Sequence, residues 1–264
     1  MSPPPFDSPR CTWRSVWISD VHLGSRAARV AALADFLAGL SCDTLYLVGD
    51  IIDLWALERR PYWPQAHNEI VRRVLELARA GTRVVYVPGN HDALFRAHVA
   101  QRFGQIEILR ETVHHCADGA RLLVIHGDAF DCAVAGSRWT EALGSHAYEW
   151  LLQVNGAVNA LRHRCGFPYW SLAGFIKSRV PNAREYIRRY EHAVAAAAGA
   201  AGFDGVVCGH IHHPALRRIG AVEYFNCGDW VESCTALVED RDGRLALVSA
   251  PGTAALPHRA AVAA

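Results

Sequence analysis

The sequence predicts an α/β fold, because short apolar runs alternate with helical patterns along its first half. Residues 16–19 and 44–48 are apolar runs of strand length, and residues 68–79 form an amphipathic helical pattern. In that helix the spacing places five apolar side chains on one face: Ile70, Val71, Val74, Leu75 and Ala78. Strands that alternate with helices are typical of βαβ units, so we expect a largely parallel sheet.

The other elements of the first half continue this alternation. Residues 27–40 are rich in Ala and Leu at helical spacing, and they fall between the first two strands. Residues 83–87 predict a third strand, which is followed by a predicted helix near residues 93–103. Residues 122–125 predict a further strand.

The middle of the chain is predicted to be helical and its end to be rich in strands. Residues 137–161 and 183–201 have helical patterns, with Gly, Pro and aromatic residues between them at 165–170. Strand-like runs follow at residues 205–208, 222–226, 235–239 and 245–249, and Asp242-Gly243 predicts a hairpin between the last two. We expect one domain over residues 12–264, in which each half contributes a sheet and residues of about 130–201 form a helical insertion. Residues 1–11 and 254–264 are expected to be flexible ends.

The composition narrows the possible classes of function and the compartment. The 27 Lys and Arg residues balance 26 Asp and Glu residues, whereas a protein that grips nucleic acid needs a basic surplus, so no nucleic-acid partner is expected. Eight Cys residues occur without a CxxC pair, which predicts buried thiols in a reducing cytoplasm. Residues 1–10 lack the apolar region of a signal peptide, and no apolar stretch approaches the ~18 residues of a membrane span.

Five of the 14 His residues fall in polar clusters that directly follow predicted strands. These clusters are Asp20-Val21-His22, Gly49-Asp50-Ile51-Ile52-Asp53, Gly89-Asn90-His91-Asp92, His126-Gly127-Asp128 and Gly209-His210-Ile211-His212. The carboxyl ends of strands line the ligand crevice of an α/β sheet, so we expect the five clusters to converge in space.

The residue types in these clusters indicate a pair of divalent metal ions. Carboxylate, amide and imidazole ligands together suit Mn, Fe or Zn better than Ca, and we expect Mn, with Mg as a further alternative. Two such ions roughly 3.5–4 Å apart activate water and clamp an in-line displacement at phosphorus. Asp50 is the best candidate to bridge them, because its strand lies between those of the other clusters.

In this order the five clusters resemble the signature of the calcineurin-type metallophosphoesterase superfamily, over residues of about 15–249. The resemblance implies a four-layer α/β/β/α sandwich of two sheets with a helical lid insertion. It also implies His91 as the group that protonates the leaving oxygen or stabilises the charge of the transition state. Two sets of metal ligands are implied: Asp20, His22, Asp50 and His212 for one ion, and Asp50, Asn90, His126 and His210 for the other.

Longer stretches resemble the branch of this family that cleaves UDP-2,3-diacylglucosamine in lipid A synthesis. They are residues 19–23, 49–55, 209–214 and 228–230. The branch has a helical lid over acyl chains, which implies an amphiphilic nucleotide-lipid substrate and contact with the cytoplasmic face of the inner membrane. One departure is His91, where the branch commonly has Arg. It leaves another lipid or nucleotide phosphoester, or a phosphoprotein, open as the substrate.

The expected lid supplies candidate contacts to such a substrate. They are Trp139 and Trp170 for acyl chains, and Lys177, Arg179 and Arg184 for a pyrophosphate or nucleotide. The alternative for this segment is an ordinary helical hairpin with an aromatic core and a solvated basic face.

Three acidic residues and the remaining His residues have less specific expectations. Asp128 is a candidate substrate contact, or an acceptor that orients ligand imidazoles and turns, as expected of Asp53 and Asp92. Capping is an almost equal alternative for Asp92. Six His residues are expected to be solvated: His67, His98, His146, His163, His192 and His258. Three remain undecided: His114, His115 and His213, the last of which could line the pocket. A non-catalytic binding scaffold is disfavoured, because every expected ligand position is occupied.

Overall fold

Two β-sheets form the centre of the protein in a computed structural model, which describes residues 12–131, 162, 164 and 181–250. The strands of the described residues are β1 (Thr12–Ile18), β2 (Ser41–Val48), β3 (Arg83–Val87), β4 (Arg102–Phe103), β5 (Ile106–Ile108), β6 (Thr112–His115), β7 (Arg121–Val124), β8 (Gly205–Cys208), β9 (Ala215–Ile219), β10 (Val222–Asn226), β11 (Thr235–Glu239) and β12 (Leu245–Ser249). Their α-helices are α1 (Val30–Ala38), α2 (Leu54–Arg59), α3 (Gln65–Arg79) and α4 (Pro181–Ala200). Two short 3-10 helices span Ala93–His98 and Asp128–Phe130.

The order of the strands interleaves the two halves of the chain. One sheet has the order β12-β11-β1-β2-β3-β5-β4, and the other has the order β6-β7-β8-β10-β9. The C-terminal strand β11 pairs antiparallel with β1, with Val16 opposite Val238. The expectation that each half contributes its own sheet is therefore wrong. All five residues of β11 are buried, so this strand needs an inner position with cover on both faces.

Alternate residues of the inner strands face two different cores. On β3, Val84 and Tyr86 face a core that includes Leu33 of α1 and Ile70 of α3. Val85 of the same strand faces the core between the two sheets. On the far side of the second sheet, α4 buries Tyr190 and Val194 against β8 and β10. The layers thus follow the order α/β/β/α, which confirms the predicted fold class.

Most predicted strands match closely, and two helical predictions need correction. Residues 93–103 form the 3-10 helix Ala93–His98 and then β4, because Val99 is extended and Ala100 has a left-handed backbone with φ 68°. Val71 is 37% exposed, because the buried stripe of α3 runs through His67, Ile70, Val74 and Ala78.

The structure also settles several expectations about single residues. His67 is buried and accepts a hydrogen bond from the backbone N–H of Gly24, so its expected solvation is wrong. His98 and His192 are exposed as expected, His115 is exposed, and His114 is buried. The described Cys residues are free and buried thiols, as predicted: Cys42, Cys116, Cys208, Cys227 and Cys234.

Parts of the prediction lie outside the described residues, namely the helix at 137–161 and the break at 165–170. The second helix of the insertion, predicted at 183–201, is α4. Among the described helices, none has both the length and the apolar character needed to cross a membrane.

Candidate metal centre

The five polar clusters meet at one edge of the two sheets, where β1, β2, β3, β7 and β8 end. Backbone hydrogen bonds join neighbouring turns, from Asp20 N–H to the Gly49 carbonyl (3.0 Å) and from Gly209 N–H to the His126 carbonyl (3.1 Å). The turns approach so closely that a Cβ on Gly49 would lie 2.2 Å from Nδ1 of His126. Glycine is required there by this contact and by its φ of +77°.

Left-handed backbone conformations are concentrated in these turns. Five residues of the clusters have positive φ angles between 48° and 70°: Asp20, His22, Asp50, His210 and His212. Elsewhere in the described ranges, only Ala100 and Cys234 share this conformation among non-glycine residues. Each such residue costs on the order of 1–3 kcal/mol, and strain of this kind gathers at functional sites.

The first group of possible ligands comprises Asp20, His22 and His212, whose ligand atoms lie within 4.8 Å of one another. The Nδ1–H of His22 donates to Asp53 at 3.2 Å, so in the neutral ring its Nε2 carries a lone pair. This Nε2 lies 3.2 Å from Nε2 of His212, which is in turn 3.3 Å from Oδ1 of Asp20. Oδ1 of Asp20 is buried without a hydrogen-bond partner in the described part of the chain. Acceptors that face one another in this way fit a cation.

The second group comprises Asp50, His126 and His210, again with ligand atoms within 4.8 Å. His126 donates its Nδ1–H to the carbonyl of Val48 at 3.0 Å, which leaves Nε2 as an acceptor. That nitrogen faces Oδ1 of Asn90 at 3.2 Å and Oδ2 of Asp50 at 3.4 Å. This group also fits a cation, and together with Asn90 it comprises the four residues predicted for the second metal.

Asp50 lies between the two groups. Its Oδ2 is 3.9 Å from Nε2 of His22 and 3.4 Å from Nε2 of His126, while its Oδ1 accepts the backbone N–H of His91 at 2.8 Å. Gly89 leaves room for this carboxylate, because a Cβ there would lie 2.2 Å from Oδ1. The position suits a bridging ligand.

The buried carboxylates strongly favour positive charge at this edge. Burial lowers the pKa of His22, but Asp53, Asp50 and Asp20 outweigh it and raise that pKa to about 9. Asp50 and Asp20 likewise overcome burial and raise the pKa of His126 to about 10. Burial raises the pKa of Asp20, but His212 opposes it and the net pKa falls to about 2. The carboxylates thus favour positive charge among these imidazoles, which is the charge that a divalent cation would supply.

His91 lies at the rim of the centre with its ring fixed in place. Its Nδ1 is 2.9 Å from Oδ1 of Asp53, its ring centroid is 4.2 Å from that of Trp55, and its side chain is 25% exposed. Asp53 thus orients both His91 and His22, and it also caps α2 by accepting the N–H of Ala56. His91 falls within 4.8 Å of His22 and Asp50 as well, so its geometry permits a ligand role.

The other acidic candidates brace the turns. Asp92 accepts the backbone N–H groups of Ile51 (2.8 Å) and Gly89 (2.6 Å), and it makes no side-chain cap to the 3-10 helix that follows it. Asp128 pairs with Arg96 at 2.8 Å and does not join a ligand group.

Among the other candidate substrate contacts, Arg184 is exposed on α4. Trp139, Trp170, Lys177 and Arg179 lie outside the described residues. Sequence reasoning missed Asp131, which lies 2.8 Å from Nε2 of His210. The available signal was an acidic residue three positions after Asp128.

This chain is similar to several known proteins. The family model described as calcineurin-like phosphoesterase matches residues 14–214. The UDP-2,3-diacylglucosamine hydrolase of Xanthomonas campestris pv. campestris is 28% identical over 240 residues, covering 87% of this chain and 96% of the relative. The protein of the same name from Ralstonia nicotianae is 28% identical over 231 residues, covering 81% of this chain and 82% of the relative. A solved phosphoesterase from E. coli, Yfce, has a TM-score of 0.46 and 16% identity, covering 94% of this chain and 96% of that one. Because the family model spans most of the length of this chain, the chain belongs to the calcineurin-like phosphoesterases and is a hydrolase of phosphoesters.

Proposed function

We propose that this enzyme hydrolyses the pyrophosphate of UDP-2,3-diacylglucosamine to UMP and 2,3-diacylglucosamine 1-phosphate. The observation that carries this proposal is the alignment with relatives named UDP-2,3-diacylglucosamine hydrolase, which extends over 96% of the Xanthomonas protein.

The proposed ligands of two divalent ions, of which we favour Mn, are Asp20, His22, Asp50 and His212 for one and Asp50, Asn90, His126 and His210 for the other. Support comes from the facing acceptors and from the unpartnered Oδ1 of Asp20. When bound, such ions supply the positive charge that lowers the pKa of water and offsets the charge developing at phosphorus.

The chain's own contribution to the displacement is assigned to His91. With Nδ1 hydrogen-bonded to Asp53, the other ring nitrogen of His91 has no hydrogen-bond partner among the described residues and can act on the substrate. Water adds its oxygen to the α-phosphorus and releases a proton to solvent, the bond from that phosphorus to the bridging oxygen breaks, and His91 protonates the departing sugar phosphate or stabilises its charge. Trp55 and His22 contact the ring of His91 and limit its rotation.

A test of the reaction is product analysis in H₂¹⁸O with Mn²⁺. UDP-2,3-diacylglucosamine is compared with a panel of nucleotide and lipid phosphoesters and a phosphopeptide. We expect UMP that carries one ¹⁸O, formed at rates far above those of the panel. Label in the sugar phosphate would contradict attack at the α-phosphorus, and equal rates across the panel would refute the substrate.

The second candidate is a broader phosphoesterase that acts on another lipid or nucleotide phosphoester, or on a phosphoprotein. It is favoured by His91, which stands where the lipid-specific branch commonly has Arg. The same panel decides between the two, because only the first candidate requires the nucleotide and the acyl chains together.

For the substrate contacts, we propose that Trp139 and Trp170 cover acyl chains and that Asp128, Lys177, Arg179 and Arg184 contact the polar part. Trp139→Ala and Trp170→Ala should raise KM for the diacylated substrate and leave a water-soluble phosphodiester unaffected. An equal loss on both substrates would contradict the acyl contacts.

For such a substrate we also propose contact with the cytoplasmic face of the inner membrane. We expect the purified protein to co-sediment with vesicles that contain the substrate. Protein that stays in the supernatant at every lipid concentration would contradict this location.

A further inference from the structure

His210 differs from His22 and His126 in the ring nitrogen that its neighbours occupy. In His22 and His126 the Nδ1 side is held, by Asp53 and by the carbonyl of Val48. In His210 the Nε2 side is held, because this nitrogen lies 2.8 Å from Oδ2 of Asp131. An imidazole that donates Nε2–H to a carboxylate keeps the lone pair on Nδ1, which is then the nitrogen available to a metal.

The carboxylate of Asp131 is itself held from helix α4. The hydroxyl of Tyr186 donates to Oδ1 of Asp131 at 2.6 Å, so the two oxygens of this carboxylate have separate partners. Asp131 directly follows the 3-10 helix Asp128–Phe130, and Tyr186 lies in the second turn of α4. The pair therefore joins the two described ends of the segment between residues 131 and 181.

A second residue of α4 restricts the same imidazole. The ring centroid of Tyr190 lies 6.0 Å from that of His210, and its hydroxyl lies so close to Gly127 that a Cβ there would approach it to 1.9 Å. The backbone N–H of His210 donates to Oδ2 of Asp20 at 2.9 Å. The ring of His210 thus contacts Asp131 and Tyr190, while its backbone is held by Asp20.

We propose that Asp131 is a positioning residue that fixes His210 as an Nδ1 ligand of the second metal, and that Tyr186 holds this carboxylate in place. The inference rests on the proposed two-metal centre and deepens it. It gives α4 a direct role in positioning a ligand of that metal. Asp131 and Tyr186, which lie on either side of the segment before α4, belong to one chain of hydrogen bonds that ends at His210.

The first experiment measures Mn²⁺ binding to the full-length protein by metal analysis and electron paramagnetic resonance. Wild type is expected to bind two ions with magnetic coupling between them. Asp131→Ala should lower the affinity for the second ion by about 10–100-fold, with loss of the coupling signal, and leave the affinity for the first ion unchanged. Tyr186→Phe should lower the affinity for the same ion by a smaller factor. Asp131→Asn should keep part of the affinity that Asp131→Ala loses, because its amide oxygen still accepts from the Nε2–H of His210.

Two control variants match these changes elsewhere. Asp43→Ala removes an exposed carboxylate that pairs with Arg241, and Tyr62→Phe removes the hydroxyl of a tyrosine whose ring centroid lies 4.6 Å from the guanidinium carbon of Arg26. Both should keep two coupled ions. If Asp131→Ala bound both ions with wild-type affinity, the inference would be wrong. If that variant failed to fold, Tyr186→Phe and Asp131→Asn would carry the same comparison.

The second experiment identifies the ligand nitrogen itself. In protein labelled with ¹⁵N-histidine and loaded with diamagnetic Zn²⁺, we expect binding through Nδ1 at His210 and through Nε2 at His22 and His126. Binding through Nε2 at His210 would overturn the proposal. Neither experiment uses substrate, so a failure to cleave UDP-2,3-diacylglucosamine would refute the proposed function without affecting this result.

Discussion

Nε2 of His22 and Nε2 of His126 each face other hydrogen-bond acceptors at 3.2–3.4 Å, with their Nδ1 protons already engaged by Asp53 and Val48. Buried acceptors without a donor cost free energy, so a neutral arrangement of this kind is unstable unless a proton or a cation fills it. The raised pKa values of His22 and His126 show how strongly the site favours positive charge. The surroundings of His22 and His126 therefore support metal binding at this site.

Asp50→Asn tests the bridge between the two ligand groups. The amide keeps the shape of the side chain but loses its charge, so we expect fewer than two ions per chain. We also expect hydrolysis to fall on the order of 10³-fold, equal to about 4 kcal/mol of activation free energy. Metal analysis and initial rates provide the measurement. Asp43→Asn, in an exposed ion pair with Arg241, is the matched control and should behave as wild type.

His91→Ala separates a catalytic role from a ligand role. Both are geometrically possible, because His91 lies within 4.8 Å of His22 and Asp50. If His91 acts on the leaving group, kcat should fall by about 10²–10⁴-fold while both metals stay bound. A variant that loses one metal per chain would instead identify His91 as a ligand.

At the level of elements, the turns that follow the strands combine functional strain with tight packing. A left-handed residue outside these turns therefore allows the cost of this backbone conformation to be measured apart from function. Ala100 has φ 68°, is exposed, and follows the 3-10 helix Ala93–His98, where its N–H bonds to the carbonyl of Ile108 at 2.8 Å. Its conformation lets the chain turn from that helix into β4.

Ala100→Gly should stabilise the protein by about 0.5–1 kcal/mol. The steric cost of alanine at positive φ is expected to exceed the extra entropy that glycine adds to the unfolded chain. Ala97→Gly, three residues earlier and inside the 3-10 helix, should destabilise by a similar amount. Urea denaturation of both variants gives the comparison. If both variants were destabilised, the backbone at Ala100 would not be strained.

At the level of the whole molecule, a buried polar network links the two sheets at the end opposite the metal centre. Glu239 of β11 accepts from Arg14 of β1 at 2.7 Å and lies 2.9 Å from Nε2 of His114 on β6. The Nδ1 of His114 lies 3.0 Å from the hydroxyl of Tyr46 on β2. His114, Cys116 and Glu239 also have ligand atoms within 4.8 Å, but protein partners already satisfy His114 and Glu239. The network therefore joins the sheets without a metal.

Glu239→Gln should lower the free energy of unfolding at pH 7 by on the order of 1–3 kcal/mol. Burial raises the pKa of Glu239, but His114, the Ala117 N–H and Arg14 outweigh it and lower the pKa below its ordinary 4.5. A lowered folded pKa gives stability that is present above pH 4.5 and lost as the pH falls through the folded value. The difference from wild type should therefore shrink below about pH 4.

Thermal melts of both proteins from pH 3 to 8 measure this difference. Glu107→Gln, which removes a partly exposed pair with Arg83, is the control and should cost less than about 1 kcal/mol. A difference between Glu239→Gln and wild type that stays constant with pH would contradict the role of the charge.

Local patterns predicted much of the fold and of the candidate site. Strands 83–87 and 205–208 were predictable because each contains an uninterrupted apolar run, at 84–87 and 206–208, and is bounded by turns. His67 was missed because the polar residue lies on the buried stripe of α3, where a backbone N–H from Gly24 satisfies it. Asp131 was missed because its partners lie 55 and 79 positions away along the chain.

The sequence by itself determined the α/β class, the strand-end clusters and the types of ligand they offer, because each depends on residues close together in the chain. Only the tertiary structure decided that β11 joins β1, that Asp50 lies between two groups of facing acceptors, and that His210 turns its Nε2 toward Asp131. Those features depend on contacts between distant segments, and the pairing of sheets and the rotation of an imidazole leave no local pattern to read.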